Sequence, residues 1–261
     1  MTTVSINIAR NTAFLTLASV GQKIIAFVYF LFLARIMMPQ STGEYFLAIS
    51  ITVMFTVVAD MGITPVVIRE SAKDPGRANR LLSHAIGLKI PLLVFAMIGA
   101  VLTAFALDFD PGIQKLVALA TLVLALDATH LLFFGVLRGF QRLRYEALGV
   151  FIGQLSTGIF GGLVLWLHPS LPLLVLALIS GSALNVLVSG TKVVGLLGAR
   201  SLVPHWQRQD IVWIMKSALP FALASIFVKM YSYIDSIFIS KFLDTTAVGI
   251  YSVAYRFTYS F

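Results

Sequence analysis

Eight ionisable residues stand inside long apolar stretches of this chain: Lys23, Asp60, Lys89, Asp127, Lys216, Lys229, Asp235 and Arg256. An ionised group at mid-bilayer costs about 2.5 to 3.5 kcal/mol on insertion scales, so each needs a cavity, a partner or a route to the interface. Their types differ in what they can do. Ammonium groups attract anions, phosphate above all, as point charges, and a guanidinium adds two parallel donors. Lys23 shares a helical face with Thr12, Thr16 and Ser19, while Lys229 shares one with Ser225, Ser232, Tyr233, Ser236 and Ser240. Asp127 and His130 are three residues apart, so on a helix they touch. They form either a proton relay or a structural polar pair. Asp60, in Ala59-Asp60-Met61-Gly62, serves a helix end or a salt bridge, or else takes part in substrate or proton coupling. Asp235 points aside from the Lys229 stripe, and a basic partner between helices is expected for it. Lys89 and Lys216 lie near helix ends, where they snorkel or pair with a carboxylate.

Lys23 and Lys229 are copies of one another. Residues 16–55 reappear without a gap 206 positions later as residues 222–261. Leu17, Ser19, Lys23, Gly43, Tyr45, Ala48 and Thr52 thus meet Leu223, Ser225, Lys229, Gly249, Tyr251, Ala254 and Thr258. An internal duplication that keeps a lysine within an apolar helix points to a shared site. If the repeats are related by an axis along the membrane normal, the two polar stripes face each other across a central cleft that is cationic near its axis.

The elements that hold these residues must be membrane helices. Hydrophobic residues make up 59% of the chain and charged residues 11%, against about 25% charged in a globular domain. At about 20 apolar residues per crossing, helices are predicted near residues 11–37, 43–63, 81–107, 112–137, 145–167, 171–197 and 211–243, with an eighth from Val248. From Val248 to Phe261 a helix rises only about 21 Å, short of a hydrocarbon core of about 30 Å. The eighth helix is therefore expected to be incomplete. The fold class is all-α and polytopic: a six-helix amino-terminal lobe over residues 1–206, and the first two helices of a repeated lobe over residues 207–261. Prolines fall in loops or at helix ends, apart from Pro91 and Pro220, which are expected to kink their helices. Gly149 with Gly153 and Gly158 with Gly162 give small-xxx-small patterns on opposite faces of helix 5, suited to close packing against two neighbours.

The net charge of +8 does not indicate a nucleic-acid surface, because the basic residues gather in alternate short loops. Arg10, Arg69, Lys73, Arg77, Arg80, Arg138, Arg142, Arg144, Arg200 and Arg208 fall on one side, and Arg35, Lys115 and Lys241 on the other. The positive-inside rule then places the amino terminus in the cytoplasm, with an uncleaved first span. There is no cysteine, no Gly-rich phosphate loop and no metal-ligand spacing among His84, His130, His168 and His205, so no cofactor or metal is expected. The loops are too short for an enzyme's catalytic constellation, and an enzyme is not expected.

Several stretches together resemble the polysaccharide-biosynthesis (O-antigen type) flippases of the multidrug/oligosaccharidyl-lipid/polysaccharide exporter superfamily. They are Leu33-Ala34-Arg35 through Gly43-Glu44-Tyr45; Asp60-Met61-Gly62-Ile63; Leu137-Arg138-Gly139-Phe140-Gln141-Arg142 with Tyr145-Glu146-Ala147; and Ile234-Asp235-Ser236 through Val248-Gly249-Ile250-Tyr251-Ser252-Val253-Ala254-Tyr255-Arg256. The resemblance implies a two-lobed transporter of 12 to 14 helices in the cytoplasmic membrane, of which this chain is an amino-terminal fragment. It implies a lipid carrier bearing an oligosaccharide on a polyprenyl diphosphate, moved outward by alternating access, with membrane lipids and other glycan-assembly membrane proteins as partners. It also implies that helices 1, 2, 7 and 8 border the cavity, which matches where Lys23, Asp60, Lys229, Asp235 and Arg256 lie; Lys23, Lys229 and Arg256 are the candidates for the diphosphate, and Asp60, Asp127 and Asp235 those for coupling or ion pairing. One departure is visible: the family often has a basic residue before the Ile-Asp pair, where this chain has Tyr233. The rival reading within the superfamily is a cation-coupled drug or metabolite exporter; a membrane enzyme of glycan assembly ranks below both.

Overall fold

In lipid every backbone polar group must be satisfied within the chain, so an apolar sequence of this length is driven into helices. The computed structural model describes the backbone of residues 2–260 and the side chains of residues 16–257. Thr12, Arg10, Thr258 and Phe261, used above, have side chains outside the described residues. The helices are α1 (Thr2–Asp60), α2 (Ile63–Lys73), α3 (Ala78–Ala106), α4 (Pro111–Gly139), α5 (Leu143–Leu167), α6 (Leu171–Leu197), α7 (Arg208–Phe242) and α8 (Thr245–Ser260). No strand occurs among the described residues. Among the described residues six helices are long and apolar enough to cross a membrane, and α8 is not among them.

The breaks have local causes. Met38 precedes Pro39, whose ring clashes with a helical predecessor, and Met38 accordingly leaves helix geometry at φ 65°, ψ 164°. Pro39 then opens the second limb at a position where its missing N–H costs nothing. Phe30 lies 6.5 Å from Phe46 and Tyr29 faces Tyr45, so the two limbs of α1 run antiparallel about Met38. They are the first two predicted helices. Met61 and Gly62, at φ 43° and 73°, end α1 with a left-handed pair and start α2. The charges of residues 64–80 predict a loop; α2 instead buries Ile63, Val66 and Val67, because those apolar residues recur at helical spacing among the charges. Both α3 and α7 continue as helices through Pro91 and Pro220.

The basic loops gather at one end. There Arg80 binds Asp210 at 2.8 Å and Asn79 donates to the Leu197 carbonyl at 3.1 Å, joining the starts of α3 and α7 to the end of α6. At the opposite end Lys241 donates to the Leu107 carbonyl, joining the α7–α8 turn to the α3–α4 turn. Each end has its own core. Ile63, Val67, Leu82, Leu132, Val136 and Ile214 pack at the basic end; Phe30, Leu33, Leu47, Ile51, Leu116, Leu174 and Val248 pack at the other.

The glycines of α5 do meet two neighbours. Gly153 lies against Asn185 and the Gly181 carbonyl of α6, and Gly158 against Ile25 of α1. Gly161, rather than Gly162, takes the closest approach on the α1 side, against Tyr29.

Candidate functional site at the meeting of α1, α7 and α8

Lys23, Phe27 and Phe30 are four and three residues apart and share one face of α1. Their counterparts Lys229, Tyr233 and Ser236 share the same face of α7. These faces meet α8. Phe257 sets its ring edge against Phe27 at 5.0 Å and 83°, and Arg256 lies 5.0 Å above the Phe30 ring. Tyr255 stands 6.4 Å from Tyr233 and 6.0 Å from Phe46. Lys229 in turn lies 5.5 Å from the centre of the Tyr233 ring. Two of the three predicted cations, Lys229 and Arg256, therefore lie against one aromatic cluster, while Lys23 stands two helical turns, about 10 Å, along α1 from Phe30.

Their surroundings differ. Lys23 is exposed, whereas Lys229 and Arg256 are half-buried. Among the described residues none of the three forms a salt bridge, and the Arg256 Nε is fully buried without a hydrogen-bond partner. A guanidinium held over an aromatic face with an unsatisfied N–H is a ready acceptor of an anion. The Asp127 carboxylate on α4 acts electrostatically on Lys229 of α7 without forming a salt bridge with it.

The three aspartates part company. Asp60 is held away from the cations by the buried Lys89 ammonium at 2.7 Å, and the Thr64 hydroxyl donates to the same carboxylate. Of the alternatives open for Asp60 and Lys89, the structure takes the salt bridge, with Lys89 only 2% exposed. Asp127 receives the Ser182 hydroxyl at 2.5 Å and faces His130 Nε2 at 3.1 Å, while its side chain stays 44% exposed. His130 and Asp127 thus touch as their spacing requires, and the His130 Nδ1 is buried without a partner. Among the described residues Asp235 has no basic partner. It accepts from the Tyr251 hydroxyl on α8 and from the Ser236 backbone N–H at 2.7 Å. Lys229, one turn earlier, lies against Tyr233 instead. Lys216 is exposed.

Two ion-pair groups at the basic end escaped the sequence reading. Arg138 Nε donates to Glu146 at 2.6 Å, with Glu146 buried, across the α4–α5 turn. Asp210 receives both Arg80 and, at 3.2 Å, His84 Nε2. A signal existed only for the first, since both its residues lie in one conspicuous stretch. Among the described residues no group of three His, Asp or Glu side chains is placed to hold a metal.

Residues 8–259 match the model of a family described as polysaccharide biosynthesis protein. No curated protein matches the chain. Among solved structures, one described as the inward-facing conformation of a multidrug resistance MATE family transporter of the MOP superfamily is similar in fold, with a TM-score of 0.57 and 15% sequence identity. The match covers 94% of this chain and 57% of that one.

Proposed function

Because the chain belongs to the polysaccharide biosynthesis protein family, we propose that it carries a polyprenyl-diphosphate-linked oligosaccharide across the cytoplasmic membrane by alternating access, with its amino terminus in the cytoplasm. The observation that carries this reading is the pair of duplicated faces, Lys23-Phe27-Phe30 and Lys229-Tyr233-Ser236, closed by an Arg256 that lacks a carboxylate partner among the described residues. Two cations against an apolar cluster, with Lys23 further along α1, suit a diphosphate whose lipid tail stays in the bilayer. In this reading residues 1–206 form one lobe, residues 207–261 begin its pseudo-symmetric partner, and the remainder of the second lobe completes the cavity. The chain's 57% coverage of the solved transporter's length fits that division. No chemical step is required of the protein, only differential binding in two conformations.

In the complete protein, Lys23→Gln, Lys229→Gln and Arg256→Gln should each reduce flipping of a lipid-linked oligosaccharide in vesicles while leaving folding intact. Undiminished flipping in all three would sink the site. The part-exposed Asp127 carboxylate, which acts on Lys229 without a salt bridge, favours a second reading, a cation-coupled exporter. Uptake of small organic cations, with no flipping of lipid-linked sugar, would select it.

A further inference from the structure

Gly43 of α1 and its counterpart Gly249 of α8 cross backbone to backbone. A methyl group on Gly43 would run into the Thr245 carbonyl oxygen and stand 2.8 Å from the Gly249 nitrogen. One on Gly249 would run into the Pro39 carbonyl oxygen and stand 3.1 Å from the Gly43 nitrogen. Thr245 is itself the counterpart of Pro39, 206 positions on. The contact is therefore isologous: each repeat offers the same backbone to the other, which is the geometry of a two-fold axis passing between the glycines. The duplication kept glycine at both positions because neither copy has room for a side chain.

The crossing also has a definite place. It lies at the end opposite the basic loops, beside the Met38 break and the α7–α8 turn. Around it Phe30, Leu33, Leu47 and Val248 are buried. Toward the basic end Lys23 is exposed and Lys229 half-buried. No hydrogen bond or salt bridge is recorded between Pro39–Gly43 and Thr245–Gly249, and a cavity of about 360 Å³, lined in part by Ala34, Thr42, Ile250 and Phe257, runs alongside. Contact without hydrogen bonds or interlocked side chains can part without leaving buried polar groups unpaired.

We propose that the Gly43–Gly249 crossing is the seal that closes the cleft at the end away from the basic loops, and that it separates when the cleft opens on that side. This rests on the transporter reading. Thr42 and Val248 are also counterparts, 1% and 0% exposed beside the crossing, and serve as matched reporters. This chain has no cysteine, so in the complete protein, with any further cysteines replaced by serine, Thr42→Cys and Val248→Cys can be labelled by a membrane-impermeant maleimide added on the side opposite the basic loops. Labelling should be slow, and about tenfold faster when Gly43→Ala or Gly249→Ala is added, by equal amounts at the two glycines. Gly153→Ala, packed inside the first six crossings, should lower stability without changing the labelling. Joining Thr42→Cys to Val248→Cys with a short bifunctional thiol reagent should stop flipping, and cleaving the linker should restore it. Labelling already fast in the parent, or unmoved by both alanines, or flipping unaffected by the linker, overturns the proposal. Labelling that responds as expected in a protein that flips no lipid-linked sugar leaves the seal standing and removes the substrate assignment instead.

Discussion

The Tyr251 hydroxyl donates to the Asp235 carboxylate, and the two residues stand where the first repeat has Tyr45 and Tyr29. The Tyr29 and Tyr45 side chains also face each other, although the Tyr29 hydroxyl lacks hydrogen-bond geometry to any partner. The equivalent helix pairs of the two repeats are therefore tied at the same place, the two limbs of α1 loosely by two tyrosines and α7 to α8 by a charge-assisted bond. This accounts for an aspartate inside an apolar helix without a cation beside it. Its charge is stabilised by a hydroxyl, a backbone N–H and Ser236.

Removing that hydroxyl leaves the carboxylate short of a donor. Tyr251→Phe should destabilise the complete protein by about 1.5 to 3 kcal/mol, the range for hydrogen bonds to charged groups. Asp235→Asn, which keeps an acceptor, should cost less. Thermal unfolding in detergent measures both, and a Tyr251→Phe, Asp235→Leu double variant should regain part of the loss. Equal stability of all variants would remove the structural role for Asp235.

The Asp60–Lys89 pair calls for a sharper asymmetry, because Lys89 is buried and has no second carboxylate among its recorded partners. Asp60→Leu strands the buried Lys89 ammonium and should cost about 3 to 5 kcal/mol, whereas Asp60→Leu with Lys89→Met should recover most of it. Since neither residue faces the aromatic cluster, the folded double variant should keep flipping activity. Loss of flipping in a stable double variant would return Asp60 to the transport path.

The helices and the duplication were legible in the sequence because both leave periodic marks: apolar runs of spanning length, and lysine, glycine and tyrosine recurring at one offset. The faces of Lys23 and Lys229 followed from helical geometry alone. Partners did not. Lys89 reaches Asp60 across 29 positions, and Asp210 collects Arg80 and His84 from another helix. No local spacing encodes such contacts, which depend on how helices dock. The helix α2 was hidden for another reason: its charged residues, which read as a loop, occupy one face of a short amphipathic helix.

Arg256 is distinguished by its planar group over Phe30, so a lysine there is not equivalent. Arg256→Lys should weaken binding of a short-chain prenyl diphosphate to the complete protein about tenfold, nearly as much as Arg256→Gln. Isothermal titration in detergent reads the change. Full affinity in Arg256→Lys would mean that only charge, not the fork of donors, is used.

Asp127 separates the two functional readings by the sign of one effect. Its carboxylate competes with an incoming anion for Lys229, since both are drawn to the same ammonium. Asp127→Asn keeps an acceptor for Ser182 and removes that competition. Under the diphosphate reading the variant should therefore bind the prenyl diphosphate about two- to fivefold more tightly, a modest gain because the 44% exposed carboxylate is partly screened by water. If Asp127 instead carries the coupling proton or ion, the variant should leave anion affinity unchanged and abolish transport driven by an ion gradient. Affinity and gradient-driven transport measured on the same preparation decide between them.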